Sequence, residues 1–269
     1  MTAPSTSADL SLTVAVAQVP PVRPTSESAR VVAELTARAV GEHGADLVVF
    51  PEGVMHEFGL PGIDLAAIAE PLDGAWVEGV HKAAAHNDCT IVAGMWEATD
   101  SSRVRNTQIA VNADGVINVY RKIHLFDSFG FRESDVVEPG EILPTSITVN
   151  ELRIGLTTCY DLRFPELYRA LAADGVDAYL VIAGWVAGPN KADQWTTLLT
   201  ARAIENTAYV IASGLSGDRF VGHSSIIDPF GVCLTPELPQ TGLGVATLNS
   251  ERVREVRSSV PSLQHRRLT

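Results

Sequence analysis

Cysteine is scarce in this chain, with three in 269 residues: Cys89, Cys159 and Cys233. No two of them form a CxxC pair, and none has the spacing to histidine that a zinc site requires. A sparse, odd set of cysteines excludes a disulfide framework and favours a reducing compartment. The sequence therefore predicts no metal site, and each thiol is either a buried apolar group or a nucleophile.

The chain also lacks a long hydrophobic run, a leader segment and a basic surface. No apolar stretch approaches the roughly 18 residues of a membrane helix. The first ten residues have neither the basic nor the apolar region of a signal peptide. The formal net charge of −12 repels phosphate backbones. We therefore expect a cytoplasmic protein that binds neither nucleic acid nor a membrane.

Two segments, 12–50 and 152–182, each show an apolar run, a stretch of helical periodicity and a second apolar run. Each segment therefore predicts a strand, a helix and a strand in that order. A hairpin with strands at 108–112 and 116–120 is predicted around the turn at 113–115. Residues 125–145 have no period, and we expect a long functional loop there. The remaining predicted elements are helices at 76–87, 191–206 and 250–257 and strands at 90–94, 209–213 and 224–228.

Hydrophobic residues make up 46% of the chain, enough for a large core, and no linker or composition shift divides it. A chain of this length often forms one α/β domain. We predict a flexible segment at 1–11 and a single domain over 12–269. Two mixed β-sheets packed face to face, with helices outside, would make a four-layer αββα sandwich.

Three reactive side chains follow directly after predicted strands. Glu52 follows the strand at 46–50, Cys159 the strand at 152–157, and Lys122 the second hairpin strand. Ligands of open α/β sheets collect beyond the carboxyl ends of strands, so these side chains could share a site. A helix beginning soon after Cys159 would lower the pKa of its thiol. Taken singly, each residue could equally be an inert cysteine, a loop acid or a surface lysine.

The sequence around these residues resembles the nitrilase, or carbon–nitrogen hydrolase, superfamily. The matching segments are LVVFPE at 47–52, YRKIHLFD at 120–127, GLTTCYDLRFPE at 155–166, ARAIEN at 201–206, GHSS at 222–225 and DPFG at 228–231. The resemblance runs from about residue 12 to Arg267. Tyr160-Asp161 follows the cysteine, as in the amidase branches of ω-amidase and deaminated-glutathione amidase type.

The resemblance implies an αββα sandwich, usually paired into dimers or larger assemblies, with no cofactor or metal. It makes Glu52 the general base, Lys122 the oxyanion stabiliser and Cys159 the nucleophile. Glu133 matches a second glutamate that many members carry between the lysine and the cysteine. The backbone N–H of Tyr160 is the expected second oxyanion donor.

Four residues are the candidates for substrate binding: Tyr160, Arg163, Trp185 and Phe131. Arg163 has the planar fork that suits a carboxylate, and carbamoyl-amide hydrolases of the superfamily have an arginine at the matching place. The alternative is that Arg163 pairs with Asp161 or Glu166 and only shapes the turn.

The leading functional hypothesis is cleavage of a small linear amide through a thioester, with release of ammonia. Hydrolysis of an N-carbamoyl amide or of a nitrile by the same triad is the nearest alternative. A non-catalytic binding protein of the same fold is a third hypothesis, and a cysteine protease using His124 or His223 is a fourth.

We also expect a homodimer or larger assembly, with the C-terminal tail at a subunit interface. That expectation rests partly on apolar helix residues that could exceed the needs of the core: Leu167, Leu171, Leu198 and Leu199.

Overall fold

Apolar strands form two mixed sheets in the computed structural model, which describes residues 11–60 and 62–268. The predicted flexible segment lies outside the described residues except for Ser11, which begins the first strand. The strands are β1 (Ser11–Gln18), β2 (Leu47–Val49), β3 (Thr90–Glu97), β4 (Val104–Asn112), β5 (Gly115–Arg121), β6 (Asp127–Ser128), β7 (Phe131–Arg132), β8 (Val137–Glu138), β9 (Ser146–Val149), β10 (Leu152–Thr158), β11 (Ala178–Ala183), β12 (Tyr209–Gly214), β13 (Ser225–Ile227) and β14 (Gly242–Asn249). The helices are α1 (Thr25–His43), α2 (Leu65–Ile68), α3 (Ala75–Asn87), α4 (Pro165–Ala173), α5 (Lys191–Asn206) and α6 (Ser250–Ser259).

The first sheet has the strand order β14-β1-β2-β3-β4-β5, with β8 paired to β4. Strands β1, β2 and β3 are parallel, while β14, β4 and β5 join antiparallel. The second sheet has the order β13-β12-β11-β10-β9, with three parallel strands at its centre and antiparallel strands at both edges. Each βαβ unit therefore contributes the parallel centre of one sheet, which brings the carboxyl ends of β2 and β10 into comparable places.

Three clusters of buried residues define the layers. One lies between the sheets and contains side chains such as Val14 and Val49 from the first sheet and Leu156 and Ile211 from the second. A second cluster joins α1 and α3 to the outer face of the first sheet, and a third joins α4 and α5 to the outer face of the second. Alternation along each strand sends apolar side chains to both faces. The order of layers is thus helix, sheet, sheet, helix, as the sequence predicted.

The helix boundaries follow local sequence signals. Gly44 ends α1 in the left-handed conformation, and its N–H bonds back to the carbonyls of Ala39 and Val40. Pro165 occupies the first turn of α4, where a missing backbone N–H costs nothing. Among the described residues, no helix has the length and apolarity to cross a membrane.

The structure differs from the sequence prediction in several stretches, which include the unpredicted short helix α2. The region expected to be one long functional loop, 125–145, contains the short hairpin β6–β7, a 3₁₀ turn at Glu133–Asp135 and the strand β8. The strands β9 and β14 were not predicted. Each is set by pairing with a partner, β9 with β10 and β14 with β1, rather than by a strong local pattern of its own.

The apolar helix residues expected to seek a partner subunit belong mostly to the core of this chain. Leu167, Leu171 and Leu199 are buried in the third cluster, and Leu198 packs against it. Burying such side chains within the chain contributes about 1.5–3 kcal/mol each. The argument for an assembly from these four leucines was therefore wrong, and the oligomeric state stays a prediction from the family resemblance.

Candidate active site

The strand β10 leads into a tight turn at Cys159. Cys159 has a φ of +50°, the left-handed region that non-glycine residues rarely occupy. A 3₁₀ turn at Cys159–Arg163 follows, and α4 begins at Pro165. This turn lifts the cysteine side chain out of the sheet at the end of the strand. A non-glycine residue held in this conformation points to a functional constraint on the turn.

The buried carboxylate of Asp161 holds the cysteine turn in place. Its Oδ2 atom accepts hydrogen bonds from the backbone N–H of Thr158 at 2.9 Å and from the hydroxyl of Tyr120 at 2.7 Å. Its Oδ1 atom accepts from the backbone N–H of His124 at 3.1 Å and pairs with His124 Nδ1 at 2.7 Å. Asp161 therefore joins the turn to the segment that carries Lys122. The His124 ring also stacks on Phe164, at 3.7 Å between centroids, so His124 has a structural role in this turn.

Lys122 lies directly after β5 and bridges two carboxylates. Its Nζ atom is 3.0 Å from Glu52 Oε1 and 2.8 Å from Glu133 Oε2. The side chains are almost wholly buried, with 3% of Lys122 and 2% of Glu52 exposed. The backbone N–H of Phe126 donates a further bond to Glu133 Oε2 at 2.7 Å. The structure thus brings Glu52, Lys122 and Glu133 into one buried ion cluster.

Contacts from both sheets orient Glu52. The backbone N–H of Gly184, after β11 in the second sheet, donates to Glu52 Oε2 at 2.6 Å. The backbone before and after Glu52 lies against β3 at Gly94, where an added Cβ would be 2.5 Å from Gly53 N and 2.7 Å from Glu52 Cα. Only glycine leaves room for that approach.

Asn106 is a site residue that the sequence reasoning missed. Its side-chain N–H group donates to Glu52 Oε1 at 2.7 Å and to Glu133 Oε1 at 3.0 Å, so it joins the two carboxylates directly. It lies in β4, and it is followed by two further buried polar residues, Thr107 and Gln108. Three consecutive polar side chains within a buried strand are unusual, and this run was the available signal. The predicted strand began only at residue 108 and excluded it.

The surroundings of Cys159 raise the pKa of its thiol. Burial raises its pKa, and the neighbouring Glu52 carboxylate raises it further, while the Lys122 ammonium opposes both; the pKa stays well above its ordinary value. The expectation that the helix beginning after Cys159 would lower the thiol pKa was therefore wrong. Burial tends to lower the pKa of Lys122, but the charges of Glu133 and Glu52 outweigh it and hold that pKa well above its usual range.

Several aromatic rings lie on segments next to Cys159, Glu133 and Gly184. Tyr160 packs edge-on against Phe126 at 5.1 Å and against Phe164 at 5.3 Å. Phe131 lies 6.5 Å from Phe126 and is 46% exposed, on the β6–β7 hairpin. Trp185, which follows β11, is 4% exposed.

Arg163 forms no ion pair with Asp161 or Glu166, the two partners that a purely structural role would give it. It donates a hydrogen bond to Gln194 Oε1 at 2.8 Å, and its guanidinium carbon lies 4.9 Å from the centre of the Trp185 ring. A groove of about 360 Å³ opens beside it, along α5. The N–H groups of its guanidinium therefore donate to no carboxylate within the described residues.

The other two cysteines lie away from this cluster. Cys89 is buried beside α3, and burial raises its pKa to about 11. Cys233 is exposed, and its Sγ atom lies 3.3 Å from the carbonyl oxygen of Thr235. Within 11–60 and 62–268, no group of three or more His, Cys, Asp or Glu side chains could hold a metal ion.

A strand-end cysteine beside a buried Glu–Lys–Glu cluster, on two mixed sheets between helices, fits the carbon–nitrogen hydrolases. A model of that family matches residues 13–258, so the chain belongs to the carbon–nitrogen hydrolase family and is an enzyme of that class. The predicted resemblance to the amidase-like branch of the nitrilase superfamily is confirmed by the relatives that follow.

Several characterised or named proteins are similar to this chain over nearly its whole length. A deaminated glutathione amidase from Escherichia coli O157:H7 is 35% identical over 241 residues, 90% of this chain and 92% of that protein. A protein named only as a hydrolase, from Mycobacterium tuberculosis, is 39% identical over 253 residues, 86% of this chain and 89% of its own. The crystal structure of Saccharomyces cerevisiae Nit3, described as a member of branch 10 of the nitrilase superfamily, aligns with a TM-score of 0.85 at 26% identity. That alignment covers 96% of this chain and 97% of the yeast chain.

Proposed function

We propose that the protein hydrolyses the C–N bond of a small linear amide through a thioester at Cys159 and releases ammonia. The observation that carries the proposal is the buried cluster in which Glu52 and Lys122 adjoin the thiol. The amidase name of a 35% identical relative supports an amide as the substrate.

The protonated thiol defines the first step. Because its pKa is raised, Cys159 attacks only as its proton passes to the Glu52 carboxylate. The Sγ–C bond forms, and the carbonyl π electrons move to oxygen, where the Lys122 ammonium and the Tyr160 N–H stabilise the negative charge. One such donor is typically worth about 3 kcal/mol in the transition state.

Collapse of the tetrahedral intermediate breaks the C–N bond. Glu52 returns its proton to the departing nitrogen, which leaves as ammonia, and the acyl group stays on Sγ as a thioester. A water molecule then attacks the thioester carbon while Glu52 takes the water proton. The Sγ–C bond breaks, Glu52 returns that proton to Sγ, and the carboxylic acid is released. Glu133 and Asn106 keep Lys122 and Glu52 in place during both steps, through the bonds at 2.8 Å and 2.7 Å.

Hydrolysis of an N-carbamoyl amide or of a nitrile would use the same catalytic residues. Assays with different substrates distinguish these reactions. An N-carbamoyl amide would release carbon dioxide together with ammonia, and a nitrile would form a thioimidate before the thioester. A protease mechanism has less support because His124, the nearest candidate histidine by sequence, bonds Asp161 and stacks on Phe164.

A panel of linear amides, N-carbamoyl amino acids and nitriles, assayed for ammonia, tests the proposal. We expect release from at least one amide, a mass increase equal to the acyl group on Cys159 after rapid acid quench, and no turnover by Cys159→Ala. Cys233→Ala is the matched control and should keep its activity, since that thiol is exposed and lies outside the cluster. Ammonia release by Cys159→Ala near the wild-type rate would contradict the mechanism.

A further inference from the structure

The side-chain amide of Asn106 bonds both carboxylates of the buried ion cluster. Its Nδ2 atom lies 2.7 Å from Glu52 Oε1 and 3.0 Å from Glu133 Oε1. The Lys122 ammonium donates to the same two oxygens, at 3.0 Å and 3.1 Å. An amide NH₂ group has two hydrogens, and here each carboxylate receives one of them. Asn106 is thus an uncharged bridge between the carboxylates, beside the charged bridge of Lys122.

The two carboxylates decide the orientation of that amide. The opposite orientation would turn Oδ1 of Asn106 towards two carboxylate oxygens, which are acceptors and cannot donate while they are ionised. In the observed orientation Oδ1 is buried and accepts no hydrogen bond from the described residues. The contact that fixes this side chain is therefore donation to the ionised forms of Glu52 and Glu133.

The two oxygens of Glu52 differ in their room for a proton. A carboxylate oxygen has about two acceptor positions, and on Oε1 these are taken by Asn106 and Lys122. Oε2 accepts the N–H of Gly184 at 2.6 Å, which leaves its second position for the thiol of Cys159. Removing Asn106 would therefore change how readily Glu52 holds a proton without disturbing the oxygen that receives it.

Three elements bring titratable groups to Glu52. Lys122 follows β5, Glu133 lies in the 3₁₀ turn after β7, and Cys159 follows β10. His56, on the same turn as Glu52, places its Nδ1 atom against the carbonyl oxygen of Glu57. Two buried carboxylates thus share one ammonium, and carboxylates that share a site tend to take up a proton. Hydrogen bonds to the ionised form oppose that tendency, and Asn106 donates one to each carboxylate.

We propose that Asn106 is a positioning residue that keeps Glu52 free of a proton in the resting enzyme and so sets the lowest pH at which the enzyme works. This inference rests on the proposed function, in which Glu52 must be ionised to accept the thiol proton. A second cation in this place would neutralise the surplus negative charge and make Glu52 a weaker base. A neutral donor stabilises the carboxylate without cancelling its charge.

The pH dependence of turnover tests this role. Asn106→Leu replaces the amide by an apolar group of similar size. Without the two donated bonds the protonated form of Glu52 persists to higher pH, so the acidic limb of kcat/KM should move up by about 1 pH unit or more. Asn106→Ser tests the same point if Asn106→Leu does not fold. Its single hydroxyl donates to one carboxylate at most, so the limb should move in the same direction by less.

Gln108 supplies a matched control on the same strand. It is also fully buried in β4, and its amide donates to the carbonyl oxygen of Thr157 at 3.2 Å rather than to a carboxylate. Gln108→Leu should lower stability much as Asn106→Leu does and keep the acidic limb of wild type. An unchanged limb in the Asn106 variants, or an equal shift in Gln108→Leu, would overturn the assignment.

Alkylation by iodoacetamide separates a failure of this inference from a failure of the proposed function. The Sγ–C bond forms, iodide leaves and the thiol proton of Cys159 passes to Glu52, so no amide turnover is needed. Mass spectrometry of the peptide that contains Cys159 follows the reaction apart from the other thiols. In Asn106→Leu the pH of half-maximal alkylation should rise by about 1 pH unit or more.

The two outcomes are independent. If wild type released ammonia from no amide, the proposed function would fail while the alkylation profile still decided the role of Asn106. The same pH of half-maximal alkylation in wild type and Asn106→Leu would refute that role, even in an active amidase.

Discussion

At the scale of single residues, the site is a balance of charges around one thiol. Two carboxylates, Glu52 and Glu133, flank the single ammonium of Lys122 in a buried cluster. An ion cluster of this kind is costly to break because removing one partner leaves an uncompensated buried charge. Burial raises the pKa of the Cys159 thiol, and the Glu52 carboxylate raises it further, against the opposing charge of Lys122. A raised pKa disfavours the thiolate, which is the more reactive form of a cysteine.

Removing the Glu52 charge should lower the pKa of the Cys159 thiol. Glu52 raises that pKa and Lys122 lowers it, so in Glu52→Gln only burial and Glu133 still oppose the lysine. The thiolate should therefore form at lower pH in Glu52→Gln than in wild type, although amide turnover falls by orders of magnitude. The ultraviolet absorbance of the thiolate, titrated against pH with Cys159→Ala subtracted as background, measures this. A thiol pKa that rises or stays constant in Glu52→Gln would contradict the charge balance.

At the scale of elements, Glu52, Lys122 and Cys159 each follow the end of a strand and are fixed by contacts with other elements. Glu52 follows β2 but bonds Gly184 after β11, 132 residues along the chain. The cysteine turn after β10 is tied through Asp161 to Tyr120 in β5. Strand ends give approximate positions, and these cross-links between the two sheets give the final geometry.

Gly94 in β3 should be essential to the position of Glu52. In Gly94→Ala the new methyl group would meet backbone atoms of Gly53 and Glu52 at 2.5 and 2.7 Å, and backbone cannot move aside cheaply. We expect kcat to fall at least about tenfold and the free energy of unfolding to fall by about 1–3 kcal/mol. Ammonia release and chemical denaturation measure the two effects.

Gly41→Ala is the matched control for that substitution. Gly41 lies in α1, and a Cβ there meets nothing within 4 Å. Alanine should raise stability by up to about 1 kcal/mol and leave kcat unchanged, since it favours the helix. Wild-type activity in Gly94→Ala would show that the turn at Glu52 has more freedom than its contacts indicate.

At the scale of the whole molecule, two sheets share one apolar layer and each carries helices on its outer face. The core uses most of the apolar helix side chains, yet Ile204 on α5 is 51% exposed. Phe230, in the loop after β13, is 55% exposed. The C-terminal residues Arg266 and Arg267 line an open groove of about 540 Å³ with the start of α4. Such exposed apolar groups on a helical face are candidates for contact between subunits.

We therefore still expect a homodimer or larger assembly, as the family resemblance implies. Light scattering at micromolar concentration should give at least twice the 28.7 kDa of one chain. Ile204→Glu, which places a charge among the exposed apolar groups, should shift the mass towards that of one chain if α5 lies at the interface. A wild-type mass of 28.7 kDa would contradict the expected assembly.

The sequence by itself determined the order of most strands and helices, the sandwich and the family. Periodicity, prolines and glycines act over a few residues, and the motifs around Glu52, Lys122 and Cys159 are contiguous. Tertiary structure decided the rest: the strands β9 and β14, the bridge made by Asn106, the raised thiol pKa and the position of Arg163 over Trp185. Those features depend on burial and on contacts such as Lys122 to Glu52, 70 residues apart. A local pattern carries no information about which distant charges and rings will surround a side chain, because only the packed fold sets those distances.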